Sequence, residues 1–233
     1  MAKPDSIIVP DTKANQYNGS MISIIVGDGE TQETFTLHEF HISSYSAFFR
    51  CAFRGDFVEA HEKLIRLPTE SPTVFRLYLD FIFSGKLPVE PPASSDTIHD
   101  INIQKDTIFR RLCPLYILCD MLQDTKAKNA IVDAVIQTSN ASEPDYWVPN
   151  PDDMTVLFEN IGPCPLRTLV VDMWSHLCMD AQNWMGDDAG VFHHQFLFEV
   201  CKRIIVKGNR GRPSYLYKVA HGYYFEKPDE TTR

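Results

Sequence analysis

Two short apolar segments near the N-terminus predict a β-hairpin. Residues 21–26 are apolar and largely β-branched, and residues 34–37 resume an extended pattern after Gly27-Asp28-Gly29. An apolar run, a glycine-rich turn and a second run are typical of two antiparallel strands. Apolar and polar positions alternate again over residues 63–67, and Pro68 stops the pattern, so we predict a third strand there.

The rest of the chain shows the spacing of amphipathic helices. Ser46 predicts the cap of a helix over residues 47–53, and Pro72 predicts the first turn of a helix that ends near Gly85. Two apolar stripes beyond it predict a helical hairpin with a break near Asp124. Three further helices are predicted at residues 154–161, 166–181 and 191–206.

Polar and proline-rich segments predict how the chain is divided. Residues 1–19 are polar and contain two prolines, which predicts a flexible arm. Residues 86–106 begin with several prolines and serines, which predicts a loop. A second polar, proline-containing stretch begins near residue 140. We therefore expect one domain over residues 20–139 and a helical extension with a basic tail over residues 140–233.

The composition excludes several classes of protein. Hydrophobic residues make up 44% of the chain and charged residues 23%, which excludes a disordered chain, a collagen and a coiled-coil rod. No window approaches the ~20 apolar residues that span a bilayer, and residues 1–20 lack the apolar core of a signal peptide. We therefore expect an intracellular protein, in the cytoplasm, the nucleus or both, with no membrane partner.

No set of residues predicts a catalytic, cofactor or metal site. His38 and His41 have the spacing H-x-x-H, but no third ligand accompanies them. Motifs of nucleotide binding and nucleophilic catalysis are absent from the sequence, so we expect no enzyme and no cofactor. The six cysteines lie mostly in apolar runs and are expected to be buried thiols: Cys51, Cys113, Cys119, Cys164, Cys178 and Cys201.

Short motifs in a fixed order run along residues 21–139. They include Phe35-Thr36-Leu37-His38, Ser46-Ala47-Phe48-Phe49 and Leu115-Tyr116-Ile117-Leu118-Cys119-Asp120. In this order they resemble a BTB/POZ domain. The resemblance implies an α+β fold, a small and mainly three-stranded sheet with a cluster of helices, followed here by an all-α extension. That extension is similar to the helical continuation of fungal BTB proteins, because residues 165–172 fit its P-L-R-x-L-V-V-D helix.

The resemblance implies a protein-interaction module that acts as an adaptor or scaffold. Family members that recruit cullin scaffolds carry a hydrophobic residue, any residue and a glutamate between the second helix and the third strand. Phe57-Val58-Glu59 stands at that place. The implied function is a cullin-dependent ubiquitin-ligase adaptor, with Phe57 and Glu59 on the cullin and the substrate held by the extension. The alternative is that Phe57 lies at the edge of the core and Glu59 is a solvated charge.

The residues at four positions do not decide whether the chain forms a homodimer. In dimeric family members, an acidic residue before the first strand and a basic residue after a matched histidine form a charged pocket at the interface. The corresponding residues here are Ser20 or Met21 and, after His38, Glu39. This set cannot form an ion pair within itself.

A basic motif near the C-terminus supplies an alternative function. The formal net charge is -9, but residues 201–233 contain eight basic and three acidic residues. The acidic remainder disfavours nucleic-acid binding by the body of the protein. Arg210, Gly211, Arg212 and Pro213 match the core of an AT-hook, which inserts into the minor groove of A·T-rich DNA. The motif indicates either a nuclear DNA-associated regulator or an exposed basic turn.

Overall fold

The computed structural model describes residues 19–54, 57–91, 98–140, 147–180, 192–207 and 222–227. By its contacts the chain divides into two compact units, residues 1–75 (unit 1) and residues 76–233 (unit 2). Unit 1 contains a small three-stranded sheet with short helices, and the regular elements described in unit 2 are helices. The predicted α+β class, with a small sheet and many helices, is confirmed.

The sheet of unit 1 consists of β1 (Met21–Val26), β2 (Glu33–His38) and β3 (Leu64–Leu67). The strand order is β2-β1-β3, with β1 antiparallel to β2 and parallel to β3. Both the hairpin and the third strand predicted from the sequence are confirmed. Because β1 is the central strand, its apolar character is required: Ile22, Ile24 and Val26 are buried.

Gly27 ends β1 in a conformation that favours glycine. Its φ is +82°, and its N–H donates to the carbonyl oxygen of Leu67 at 3.0 Å. An added Cβ would stand 3.2 Å from both the Pro72 ring and the carbonyl oxygen of Thr31. A larger residue at this turn would therefore be strained by its backbone and crowded by its neighbours.

Four α-helices begin among the described residues of unit 1: α1 (Glu39–Tyr45), α2 (Ala47–Ala52), α3 (Val58–Glu62) and α4 (Pro72–Ser84). The predicted cap of α2 is confirmed, because Ser46 Oγ accepts from the N–H of Phe49 at 3.2 Å. Phe49 is fully buried, and its ring packs edge-on against Phe75 at 6.5 Å between centroids. Residues of α2 and α4 thus share the core of unit 1.

Unit 2 contains the longer helices α5 (Ile98–Met121), α6 (Thr125–Asn140), α7 (Pro151–Asn160), α8 (Pro165–Asp180) and α9 (His194–Lys207). The predicted loop over residues 86–106 is wrong for residues 98–106, which form the first turns of α5. The prolines that suggested a loop all precede residue 93, and the polar residues after them gave no apolar stripe. None of the described helices has the length and apolar character to cross a membrane.

Asp124 forms the predicted break between α5 and α6. Its Oδ1 accepts from the N–H of Ala127 at 2.9 Å, which caps α6. Its Oδ2 accepts from the hydroxyl of Tyr78 at 3.1 Å. Burial raises the pKa of Asp124, although these hydrogen bonds oppose the rise. The break is therefore a buried, hydrogen-bonded turn.

Contacts within unit 2 cross the boundary predicted near residue 139. Trp147 Nε1 donates to Asp106 Oδ1 at 2.8 Å, and Arg110 Nε lies 3.5 Å from Asp153 Oδ1. Both contacts join α5 to Trp147 and Asp153, which follow α6 in the chain. Part of the predicted extension therefore packs directly on the helical hairpin.

Candidate functional site

The structure brings together, at the open end of the β1–β2 hairpin, the four positions that correspond to the dimer interface of the resembled family. Met21 pairs with His38 in the strand register, and the N–H of Glu39 donates to the carbonyl oxygen of Ser20 at 3.0 Å. Ser20 Oγ donates to Glu39 Oε2 at 2.5 Å. Met21 is 48% exposed. The four residues therefore form one surface cluster, which we call the hairpin end.

Lys63 supplies the cation that the hairpin end lacks. Lys63 Nζ lies 2.9 Å from Glu39 Oε2, the oxygen that also accepts from Ser20. Burial alone would raise the pKa of Glu39, but the hydrogen bonds from Ser20 and Lys63 and the Lys63 charge together lower it. No local sequence pattern indicates this pair, because Glu39 and Lys63 are 24 residues apart and belong to different elements.

Phe57, Val58 and Glu59 form an exposed patch at the start of α3, which we call the α3 surface. Phe57 is 62% exposed and Val58 is 64% exposed, and Glu59 is also exposed. The carbonyl oxygen of Phe57 accepts from the N–H of Ala60 at 3.0 Å, which fixes the first turn. The exposure of Phe57 contradicts a position at the edge of the core, whereas the exposure of Glu59 agrees with the alternative that it is a solvated charge.

The backbone of Lys63 joins the α3 surface to the sheet. Lys63 ends α3 in the left-handed conformation, with φ 52° and ψ 37°, and β3 starts at the next residue. Its carbonyl oxygen accepts from the N–H of Ser23 in β1 at 2.9 Å. The end of α3 is therefore fixed on the central strand, so that the α3 surface has a rigid support.

The packing of a C-terminal segment, residues 222–227, on the helices of unit 2 was not predicted from the sequence. Residues 222–227 dock on α6, where Asn129 Oδ1 accepts from the N–H of Glu226 at 2.8 Å and Asn129 Nδ2 donates to its carbonyl oxygen at 3.1 Å. Buried Lys128 lies 2.8 Å from Asp120 Oδ1 and 2.5 Å from Glu226 Oε2. Because Asn129 and Glu226 are 97 residues apart, no local pattern could have indicated this docking.

Tyr224 anchors the same segment to α8. Its hydroxyl donates to Asp172 Oδ2 at 2.9 Å, and Arg203 Nε in α9 lies 2.8 Å from Asp172 Oδ1. Tyr224 and Asp172 are both buried. Burial, followed by the nearby charge of Asp172, raises the pKa of Tyr224, so the phenol stays protonated and remains a donor.

The expectation that the thiols are buried is wrong for Cys51 and Cys201, which are exposed, and Cys164 is only partly buried. Cys113 and Cys119 are buried as predicted. Burial, then the charge of Asp153, raises the pKa of Cys113 to about 12. The Cys178 side chain lies outside the described residues. The buried thiols lack the lowered pKa that a cysteine nucleophile needs.

The remaining expectations concern the predicted DNA contacts and the absence of a metal site. Arg210, Gly211, Arg212 and Pro213, the predicted DNA contacts, lie outside the described residues. Within the described residues, no group of three or more His, Cys, Asp or Glu side chains could hold a metal ion.

Comparison with known proteins identifies the N-terminal part. Residues 15–105 match the family model of the BTB/POZ domain. Human Kelch-like protein 13 is 22% identical over 143 residues, which are 61% of this chain and 21% of that protein. Mouse Kelch-like protein 9 is 24% identical over 129 residues, covering 55% of this chain and 20% of that protein.

A shorter match has higher identity. Human Kelch repeat and BTB domain-containing protein 4 is 41% identical over 51 residues, which are 22% of this chain and 10% of that protein. The aligned regions thus span about a fifth of the relatives' length or less. The similarity of the extension to fungal BTB proteins stays a prediction. The family match, the predicted motif order and the three-stranded sheet agree, and the chain contains a BTB/POZ domain, a protein-interaction module, at residues 15–105.

Proposed function

We propose that this protein is an adaptor that binds a cullin scaffold through the α3 surface and holds a second protein for ubiquitin transfer. The observation that carries the proposal is the exposure of Phe57, at 62%, directly beside Glu59. This apolar-x-glutamate pattern lies between α2 and β3, where the family places its cullin-recruiting motif. The BTB/POZ domain itself supports a role in protein interaction.

In this proposal, the apolar side chains of Phe57 and Val58 supply affinity for the cullin, and the carboxylate of Glu59 supplies orientation. Burial of an exposed phenylalanine side chain contributes about 1.5–3 kcal/mol, and aromatic anchors at the centre of an interface dominate its binding energy. Val58, 64% exposed, extends the apolar area. Glu59 can accept hydrogen bonds from the partner, and a charge at the rim of an interface contributes more to orientation than to affinity.

A binding measurement with purified cullins tests the α3 surface. The full chain is immobilised, and cullin binding is compared among wild type, Phe57→Ala and Glu59→Ala. We expect the affinity to fall at least ~10-fold for Phe57→Ala and by a smaller factor for Glu59→Ala. If wild type binds no cullin, or if both variants bind as well as wild type, the proposal is wrong.

Matched controls come from the same protein. Phe198 in α9 is 65% exposed, and Glu62 is an exposed carboxylate at the end of α3. Phe198→Ala and Glu62→Ala should leave cullin binding unchanged. Thermal unfolding of all four variants shows whether a loss of binding reflects a loss of structure. Because the truncated side chains are exposed, we expect melting temperatures close to that of wild type.

We further propose that residues 140–233 hold the substrate. Affinity purification with mass spectrometry, using wild type and Phe57→Ala, tests the division of labour. A substrate should be recovered with both forms, whereas the cullin should be recovered with wild type alone. Loss of every partner in Phe57→Ala would contradict separate binding surfaces.

A further inference from the structure

A cavity of about 610 Å³ lies among α5, α6 and the segment that follows α4 in unit 2. Its volume is within the range of cavities that bind small ligands or a few residues of a peptide. Apolar side chains form much of its lining: Phe81, Leu87, Val89, Ile101, Ile108 and Ala134. An apolar group is therefore the natural occupant of most of this space.

Lys105, which also lines the cavity, has an unusual environment for a lysine. The residue is only 4% exposed, and its Nζ is buried without a hydrogen-bond partner. Desolvation lowers the pKa of Lys105. Lys128, the other buried lysine among the described residues, is 7% exposed but is paired with both Asp120 and Glu226. Thus Lys105 differs from Lys128 in its lack of partners, not in its burial.

Two carboxylates of the chain line the same cavity without satisfying Lys105. Glu90 and Asp133 are lining residues, as is the exposed Lys86, but no ion pair joins Glu90 or Asp133 to Lys105. An amine buried without an acceptor carries a large desolvation cost. An incoming acceptor that hydrogen-bonds to Lys105 would recover part of this cost, and a carboxylate would form the stronger, charge-assisted bond.

We propose that this cavity binds an apolar carboxylate. The carboxylate accepts hydrogen bonds from Lys105 Nζ after the lysine side chain turns toward the cavity, because Nζ itself is buried in the structure. The adjoining apolar group packs against Phe81, Val89 and Ile108. The carboxylate is carried either by an acidic residue of a peptide segment or by a free aliphatic acid. The site is independent of the cullin proposal, because it shares no residue with the α3 surface.

Titration of the full chain with two pairs of probes tests the site. One pair is acetyl-Leu-Glu-Leu-amide and its Leu-Gln-Leu counterpart, and the other is octanoate and octanamide. Methyl NMR of the isoleucines, with Ile101 and Ile108 in the cavity lining, reports binding. We expect at least one acid to bind at least ~10-fold more tightly than its amide, by the strength of a charge-assisted hydrogen bond. Binding of only the peptide or only octanoate identifies the source of the carboxylate.

The proposal is overturned if neither acid shifts Ile101 and Ile108, or if each amide binds as tightly as its acid. Lys105→Met, which keeps the length of the side chain but removes the charge, should abolish the preference for the acid. Lys86→Met, a control at an exposed lining lysine, should keep that preference. If Lys105→Met does not fold, the Cε–Hε resonances of Lys105 in wild type supply the test, since they should shift with the acids and not with the amides.

Discussion

Lys63 Nζ and Glu39 Oε2 lie 2.9 Å apart, and this ion pair joins the residue that ends α3 to the residue that begins α1. It stands at the hairpin end, where the family resemblance implies a charged pocket in dimeric members. The pair places the partner of Glu39 within the same chain.

The Glu39–Lys63 pair should stabilise the fold at neutral pH and lose its effect in acid. The folded-state pKa of Glu39 is lowered below its ordinary 4.5, so its stabilisation is present above pH 4.5 and disappears as the pH falls through the folded-state value. In urea unfolding, Glu39→Gln should be less stable than wild type by less than about 1 kcal/mol at pH 7. The difference should shrink at about pH 3. Glu59→Gln, at an exposed carboxylate, should show no difference at either pH.

The chain should be monomeric in solution, because Glu39 is already neutralised by Lys63 of its own chain. Light scattering on the eluting protein should give the mass of one 233-residue chain. Lys63→Met removes the intrachain cation and serves as the comparison. A wild-type dimer that Met21→Asp dissociates would show that the hairpin end is an interface after all.

Segment 222–227 should be held by the Tyr224 hydroxyl. Tyr224→Phe removes the donor to buried Asp172, and we expect a loss of about 0.5–1.5 kcal/mol in the free energy of unfolding. Tyr223→Phe is the matched control, since Tyr223 is 66% exposed and should be neutral. Chemical denaturation of both variants measures the difference. Equal stability of the two variants would contradict this docking.

The thiols should react in two groups with iodoacetamide at pH 8. Cys51 and Cys201 are exposed and should be modified first. Cys113, whose pKa is raised to about 12 by burial and by Asp153, should react at least ~100-fold more slowly because its thiolate is scarce. Peptide mass spectrometry of timed samples resolves each site. Modification of Cys113 as fast as Cys51 in folded protein would refute the assigned environment.

Binding to DNA should be weak. The acidic body of the chain repels phosphate, and the net charge is -9. In a titration of A·T-rich duplex at physiological salt, we expect no specific affinity and no change on Arg212→Ala. Tight binding that Arg212→Ala removes would favour the nuclear, DNA-associated alternative.

Local sequence patterns predicted the strands, helices and turns of this protein better than the side-chain contacts between residues distant in sequence. The hairpin, the Ser46 cap and the break at Asp124 depend on neighbouring residues, and all three were predicted. The start of α5 was missed, because residues 98–106 are mostly polar and their helix includes the buried Lys105.

In the candidate sites, too, contiguous motifs could be predicted and contacts between distant segments could not. Phe57 and Glu59 could be identified because the family motif is contiguous, but their exposure depends on how α3 leaves the core. The Glu39–Lys63 pair spans 24 residues, and the environment of Lys105 is set by three separate segments. Such relationships have no periodic signal in a single sequence.

The hydrogen bonds between Asn129 and Glu226 also constrain the order of folding. They close a loop of 97 residues, and loop closure costs entropy that grows with loop length. During synthesis, α5 and α6 emerge long before residues 222–227 and can pair at once, whereas Lys128 and Asn129 must wait for their late partners. Pulse-labelling hydrogen exchange should find the amide of Glu226 among the last to be protected. Docking of this segment would thus mark the end of assembly.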